Sequence, residues 1–447
     1  MTIWDIGHQI CCDARRRSCR VPAARVQSAR AMNQHVSTHV NGDRLWRRLM
    51  ELARFGATEK GGVCRLALSQ EEIAARAELV RWGRAVALDP SNDAAGNLFL
   101  RLAGREPALP PILVGSHIDS QPTGGKFDGA YGVVAALEAV EAIRSHARQP
   151  RRSIDIVAWT NEEGARFAPG MMGSAVFTGV RRLEEVLRVK DKTGVTVGEA
   201  LWHVLAVEAD LLRRPLGFPV GGFIEAHIEQ GPLLEQQRAT IGIVTSIQGK
   251  CTFRVEVTGE ESHAGTSQRH ARRDALVSAV GIVQALQDAI WDDADEVRFT
   301  IGMFSVTPNV PSVVPGRVVF SIDPRHHDAE TVRRLAILVP DVCQQARGRC
   351  EVGVTKLLSD APLQFPAQTR VRIRDVAERL GLSHLELPSP AGHDARYLHY
   401  VCPTGMIFIP CKNGISHNEA ESIEPADAEA GARLLAEVAF ELAEQPQ

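Results

Sequence analysis

Four short apolar runs in this chain each end in residues able to bind a metal or move a proton. Pro111 to Val114 is bounded by prolines before it and by Gly115-Ser116 after it, as a buried strand should be, and His117 stands where it ends. Ile154 to Trp159 runs into Thr160-Asn161-Glu162-Glu163-Gly164. Phe223 to Ile228 carries His227 just before Glu229-Gln230-Gly231. Met406 to Ile409 leads through a loop to Ser416-His417-Asn418. After His117 a glycine-rich loop, Gly124-Gly125-Lys126-Phe127-Asp128-Gly129, opens a helical period of Val133, Leu137 and Val140, which predicts an amphipathic helix. In open α/β sheets ligands collect outside the carboxyl ends of strands. The pattern therefore places His117, Asp128, Glu163, His227 and His417 at one edge of one sheet, with Glu162 beside them.

Elsewhere the pattern predicts helices around Leu45, Leu49 and Leu52 and over Gln70 to Leu88, then a turn at Asp93–Asn97 and an apolar Leu98-Phe99-Leu100. Leu183 to Leu212 reads as helical and polar, packed on the outside. From Gly249 the character changes. Strands over Thr252–Val257, Val297–Phe304, Val318–Ile322 and Cys350–Val354 alternate with helices over Arg272–Leu286 and Thr331–Ala346. The first of these helices places Leu276, Val280 and Val283 on one face. That β-α-β-β-α-β order is ferredoxin-like. It lies between ligand-bearing segments, so residues 249–358 are expected to form an inserted domain. Residues 41–248 and 359–447 would form the catalytic domain, with a mixed central sheet flanked by helices. A helix near Val371–Leu380 and a last helix opened by Pro425 complete it.

Composition changes this picture little. The chain has 447 residues, enough for two domains, and is 44% hydrophobic and 23% charged, as soluble globular proteins are. A net charge of -3 gives no reason to expect a nucleic-acid surface. No apolar run reaches membrane-spanning length. Nine scattered cysteines without C-x-x-C spacing suit a reducing cytoplasm, not a disulfide frame or a thiolate zinc site. Residues 1–40 differ, with Arg15-Arg16-Arg17, three cysteines and little periodicity. They are read as a disordered or spurious extension, with Met32 as an alternative start, over a targeting segment.

The chemistry follows from the donor set. Two divalent cations a few ångström apart need a ligand that bridges, which a carboxylate does and a neutral imidazole does not. Asp128 fills that place, with His117 and His227 completing one metal and Glu163 and His417 the other. Oxygen with imidazole suits zinc, manganese, cobalt or nickel. Glu162 points away from its neighbour and is free to act as general base. The metals would lower the pKa of the attacking water and polarise the scissile carbonyl, and Glu162 would pass the proton to a leaving nitrogen. The implied reaction is hydrolysis of a C–N bond. A lone histidine at a strand end is usually structural, and a lone aspartate before a helix is usually a cap. Their joint arrival at four strand ends is what carries the reading. His35, His39, His146, His203, His326 and His327 receive no role and are expected at the surface.

Seven segments together carry a resemblance: Gly115-Ser116-His117-Ile118-Asp119-Ser120, Gly125-Lys126-Phe127-Asp128-Gly129, Asn161-Glu162-Glu163-Gly164-Ala165-Arg166-Phe167, Glu225-Ala226-His227-Ile228-Glu229-Gln230-Gly231-Pro232, Ser262-His263-Ala264-Gly265-Thr266, Gly392-His393-Asp394-Ala395 and Asn413-Gly414-Ile415-Ser416-His417. In this order, from about residue 41 on, the chain resembles the amidase/hydantoinase/carbamoylase branch of the dizinc peptidase superfamily. That branch includes N-carbamoyl-L-amino acid hydrolases, β-ureidopropionases and allantoate amidohydrolases. The resemblance implies the same five metal ligands, two divalent metals per subunit and Glu162 as base. It implies that the inserted domain forms a homodimer and closes over the site, with His263 reaching the partner's active site to stabilise the oxyanion. It implies that Arg325 pairs with a substrate carboxylate and that Gln230 and the backbone at Gly392 orient the substrate.

Two departures fall near the implied carboxylate pocket. Ser312 stands where the family often has asparagine, Asn309 lies three positions earlier, and Pro324 precedes Arg325 where an aliphatic residue is usual. The expected function is a cytoplasmic, homodimeric, dimetal amidohydrolase that removes the carbamoyl group from an N-carbamoyl amino acid, a small ureide bearing a carboxylate. Allantoate hydrolysis is the nearest alternative. A dipeptidase or N-acyl deacylase comes next, then a non-catalytic binding homologue.

Overall fold

Each of the four apolar runs becomes a strand with its carboxyl end on the same edge of one sheet. The computed structural model describes residues 35–146, 148–294 and 296–446. The chain first builds helices α1 (Gly42–Leu52) and α2 (Gln70–Ala85), strands β1 (Asp89–Asn92), β2 (Leu98–Leu102) and β3 (Ile112–His117), helix α3 (Ala130–Ser145), strand β4 (Ile154–Trp159), helix α4 (Val197–Val207), and strands β5 (Gly222–Ile228) and β6 (Ile241–Ile247). It then forms β7 (Gly249–Thr258), α5 (Ala275–Ile290), β8 (Arg298–Thr300), β9 (Phe304–Thr307), β10 (Arg317–His326), α6 (Ala329–Gln345) and β11 (Glu351–Asp360). It ends with α7 (Ala367–Arg379), β12 (His384–Ser389), β13 (Thr404–Ile409) and α8 (Pro425–Glu444).

The main sheet runs β6-β13-β5-β3-β4-β2-β1, with β12 beside β6. Its centre, β13-β5-β3-β4, is parallel, and β6 and β2 flank it antiparallel. All four central strands are buried along their whole length, as parallel strands covered on both faces must be. Alternate residues feed two cores. Val114, Ile156, Ile224 and Ile407 pack with α3 and α8, while Leu113, Val157, Phe223 and Phe408 pack with Trp159, Phe177 and Leu387. Asp155 within β4 is buried, and Arg101 and Arg214 compensate it at 2.7 Å each. Helix α3 is buried nearly all round rather than along the expected single stripe, because α1 and α8 cover the side away from the sheet. Its buried acid, Glu138, accepts from Arg44 at 2.7 and 2.8 Å and from the Asn41 N–H at 2.7 Å.

The second sheet is antiparallel and runs β11-β7-β10, with β8 and β9 both on the outer edge of β10. This is the ferredoxin-like order anticipated from the pattern. Phe253, Val255, Phe320 and Ile322 meet Ile282 and Leu286 of α5 and Leu335 and Val339 of α6.

Several expectations need correction. The single strand expected over Val297–Phe304 is two short strands separated at residues 301–303. Helix α5 buries Ala275, Ala279, Ile282 and Leu286, leaving Val280 exposed, because small residues let it approach the sheet more closely than the larger ones would. The region Leu183–Leu212 is not one polar helix. Only Leu183–Val186 and Val197–Val207 are helical, with Gly194 at φ +92° between them, and Val197, Leu201 and Val204 are buried against Phe167 and Met172. His326 is buried, its Nδ1 accepting from the Asp328 N–H at 2.9 Å. The extension expected over residues 1–40 falls outside the described residues up to 34, but 36–39 form a 3-10 turn with Val36 and Ser37 buried against α3 and α8.

Close approach of α3 to β5 fixes the frame of the site. A Cβ on Gly132 would stand 2.1 Å from the Ala226 carbonyl oxygen and 2.7 Å from the Ser116 Cβ. Gly132→Ala is expected to cost about 1–3 kcal/mol, read as a lower denaturant midpoint at unchanged slope. An unchanged midpoint would show that the helix can slide away at no cost.

Candidate metal centre

Four strand ends deliver the expected side chains to one cleft. His117 is the last residue of β3, and Asp128 precedes α3 on the loop that follows. Glu162 and Glu163 follow β4, His227 lies near the end of β5, and His417 stands on the loop after β13. Gly129 makes the first approach possible. It sits at φ +64°, and a Cβ there would lie 2.4 Å from the His117 ring. Asn161, Gln230 and His417, at φ of +55°, +58° and +53°, also adopt the left-handed conformation. Such strain persists where the surroundings fix it, and it is concentrated at functional sites.

Asp128 stands between two groups of donors. Its Oδ1 lies 3.1 Å from His227 Nε2 and 3.6 Å from His117 Nε2. Its Oδ2 lies 3.4 Å from His417 Nε2, which is also 3.3 Å from Glu163 Oε2. Thus His117, Asp128 and His227 form one cluster, and Asp128, Glu163 and His417 a second that shares the aspartate. The tautomers favour ligation. The Nδ1–H of His117 donates to the Asp119 carbonyl at 3.0 Å, and that of His227 to the Ile228 carbonyl at 2.9 Å. Each ring therefore directs its Nε2 toward Asp128. Glu162 lies on the His117 side, with Oε2 3.5 Å from Nε2, so the two adjacent glutamates face different histidines.

The electrostatics call for cations. Burial disfavours charge on His117, but the carboxylates of Glu162, Asp119 and Asp128 outweigh it and hold its pKa well above the ordinary value. Burial, then the neighbouring Asp394, Glu163 and Asp119 carboxylates, drives Glu162 well above the usual carboxylate range, against the pull of His117. Glu163 rises for the same first reason, aided by the Asp128 charge. His417 is pushed up to about 9, chiefly by its hydrogen bond to Asp128. So many acids buried together repel one another, and divalent cations held by imidazole and carboxylate would relieve that repulsion. The donor set therefore fits the metals that the sequence implied.

The remaining expected residues divide. Gln230, Arg325 and Gly392 line the same cleft, whose volume is about 250 Å³. The Gln230 Nε2 donates to Asp128 Oδ2 at 2.8 Å, while its buried Oε1 has no partner. One end of that amide therefore orients the carboxylate that the two clusters share. Arg325 pairs with Asp323 at 3.2 Å and donates to the Pro390 carbonyl at 3.4 Å. His263, Ser312 and Asn309 do not reach this cleft. His263 is exposed on the paired segments Ser262–His263 and Val313–Val314, and the Ser312 carbonyl accepts from Ala264 N–H at 3.0 Å. The expected contact of Ser312 and Asn309 with the pocket of Arg325 is thus absent within one chain, because they precede β10 and Arg325 lies near its far end.

The model of peptidase family M20/M25/M40 matches residues 113–441. The chain belongs to this family. It is 37% identical over 411 residues to an N-carbamoyl-L-amino-acid amidohydrolase of Rhizobium meliloti, covering 91% of this chain and 97% of the relative. It is 33% identical to an allantoate amidohydrolase of Bacillus subtilis (strain 168), covering 88% and 95%. Its fold matches the crystal structure of an amidase of the hydantoinase/carbamoylase family from Burkholderia vietnamiensis, with TM-score 0.85 and 42% identity over 92% of this chain and 99% of that one.

In this M20 chain the residues that hold the donors in place were mostly missed from sequence. Asp119 accepts from the Glu162 N–H at 3.1 Å and the Glu163 N–H at 3.2 Å. Glu421 accepts from the Phe127 N–H at 2.8 Å and the Asp128 N–H at 3.0 Å. Ser416 and Gln121 donate to Asp128 and Glu163 at 2.9 and 2.7 Å. The sequence signals were Asp119, two residues beyond His117, and Ser416, beside His417, each within a ligand-bearing motif. Asp119→Ala is expected to weaken metal affinity about 10–100-fold while the chain stays folded, measured by metal titration beside circular dichroism. Unchanged affinity would show that the glutamates need no such support.

Proposed function

We propose that this chain hydrolyses the carbamoyl C–N bond of an N-carbamoyl amino acid, giving the free amino acid, carbon dioxide and ammonia with consumption of one water. The observation that carries this reading is the arrangement around Asp128: its two oxygens face separate donor groups, and Glu162 stands beside them with no ligand role. The amidohydrolase relatives support the substrate class.

On this reading His117, Asp128 and His227 hold one divalent metal, and Asp128, Glu163 and His417 a second, zinc or a similar ion such as manganese. When bound, the metals supply Lewis-acid polarisation of the carbonyl and a lowered pKa for water. The remaining steps belong to the chain. Glu162 takes a proton from the attacking water and returns it to the departing nitrogen. Its burial among acids raises its basicity for that task. Asp119 fixes the backbone of both glutamates, and Gln230 and Ser416 fix Asp128. Arg325 offers its planar guanidinium to the substrate carboxylate, exchanging Asp323 for it.

The reading includes a cytoplasmic homodimer. His263 is exposed and does not line its own cleft, so its oxyanion role requires the cleft of a second copy, with Ser312 and Asn309 beside it. No helix among the described residues is long and apolar enough to cross a membrane.

The direct test is turnover on a panel of N-carbamoyl-β-alanine, N-carbamoyl-L-amino acids, allantoate and a dipeptide. Turnover of carbamoyl compounds that stops with chelator and returns with manganese or zinc is the expected result. Activity confined to allantoate would reassign the substrate, and cleavage of the dipeptide alone would reject the carbamoylase reading. A second test separates roles. Glu162→Gln should lose about 10²–10⁴-fold in kcat while retaining its metal. Mixing and reassociating inactive Glu162→Gln subunits with inactive His263→Ala subunits should restore turnover, since one hybrid site is intact; no recovery in demonstrated hybrids would remove His263 from the partner's site.

A further inference from the structure

The cleft is lined by groups of both signs: Asp128, Glu162, Glu163, His227 and His417, and also Arg181, Lys250 and Arg325. Arg325 has a role in the reading above, whereas Lys250 and Arg181 have none.

Lys250 on β7 is the direct antiparallel partner of Arg325 on β10. Their side chains therefore rise from the same face of the sheet, with Cβ atoms about 5 Å apart, and like charges so placed are destabilising. Arg325 has Asp323 at 3.2 Å as compensation. The Lys250 ammonium makes no hydrogen bond or ion pair among the described residues. Its other cross-strand neighbour is Asp360 on β11. That carboxylate has a buried oxygen without a partner, yet makes no ion pair with it. Burial, then the Arg325 charge, holds Lys250 below the usual ammonium range, against the pull of Asp323 and Asp360. Arg181 lies beside the Tyr397 hydroxyl and has no carboxylate within ion-pair distance among the described residues. Arg396, nearby, is already committed to the carbonyls of Ala361 and Gln248. A single substrate carboxylate satisfies one planar guanidinium, that of Arg325. It leaves a half-buried ammonium and a second guanidinium facing the same cavity, which a second anion would satisfy.

We propose that this cleft selects N-carbamoyl amino acids whose side chain carries a second carboxylate, with Arg325 receiving the α-carboxylate and Lys250 together with Arg181 the side-chain one. The inference rests on the carbamoylase reading and names its substrate class.

Two measurements test it. The first is calorimetric binding of the product amino acids L-aspartate, L-glutamate and L-alanine to the full chain. The second is kcat/KM for the corresponding N-carbamoyl compounds. The acidic members should be favoured about tenfold or more in both. Lys250→Met should reduce that ratio about tenfold, Arg181→Leu should reduce it independently, and Lys250→Arg should retain most of it. Circular dichroism checks the folding of each variant, and if Lys250→Met fails to fold, Arg181→Leu reads the same ratio. Equal or weaker binding of the acidic amino acids, or a ratio unmoved in folded variants, overturns the proposal. Hydrolysis of neutral carbamoyl compounds without acidic preference would overturn it and leave the carbamoylase reading intact. Selective dicarboxylate binding with no carbamoyl hydrolysis would support the anion pocket and reject that reading.

Discussion

Asp128 carries its negative charge out of water between two groups of histidines, and much of the surrounding structure meets that cost. Its two oxygens are 3.1 Å from His227 and 3.4 Å from His417, and the Glu421 carboxylate holds its backbone N–H. Gln230 and Ser416 donate to the same oxygen that faces His417. A buried carboxylate needs such partners. Here they come from the end of β5 with the loop that follows it and from the loop after β13, so the position of both segments is constrained by one charge. The left-handed backbone at Gln230 and His417 fits that constraint, since each turns a side chain back toward Asp128.

The parallel sheet makes the convergence possible. Four neighbouring strands run in one direction, so their following loops meet at one edge, as in other open α/β sheets. Burial on both faces keeps those strands rigid, and α3 lies against them so closely that Gly132 has no room for a methyl group. Rigid strands with short, strained ends hold ligand geometry better than long loops do. The second sheet adds a different element. Its β7 and β10 bring Lys250 and Arg325 to the same cleft, so acids held by one sheet share it with cations of the other.

The sequence by itself determined the four central strands of the main sheet, the ferredoxin-like order of the second sheet and the six chemical side chains of the cleft. Apolar runs of four to six residues, each closed by turn residues, leave little freedom in where a strand ends. His117, Glu162, Glu163, His227 and His417 were legible because each follows such a run directly or within one loop. Exposure was read less well. Val280 faces outward and His326 inward, since the choice of buried face on a helix or strand depends on what packs there, not on hydrophobicity alone.

What only the tertiary structure decided were relations between distant segments. Asp119 holding two glutamate N–H groups 43 and 44 residues away, and Glu421 reaching back 293 residues to Asp128, leave no periodic signature. Lys250 opposite Arg325 depends on the register of two strands separated by a helix and two short edge strands. The break in the region 183–212 also escaped the pattern, because burial against Phe167 and Met172 replaces the polar surface expected there. Local sequence sets period and turn chemistry, whereas hydrogen-bond partners and charge neighbours come from chain closure, which no local window contains.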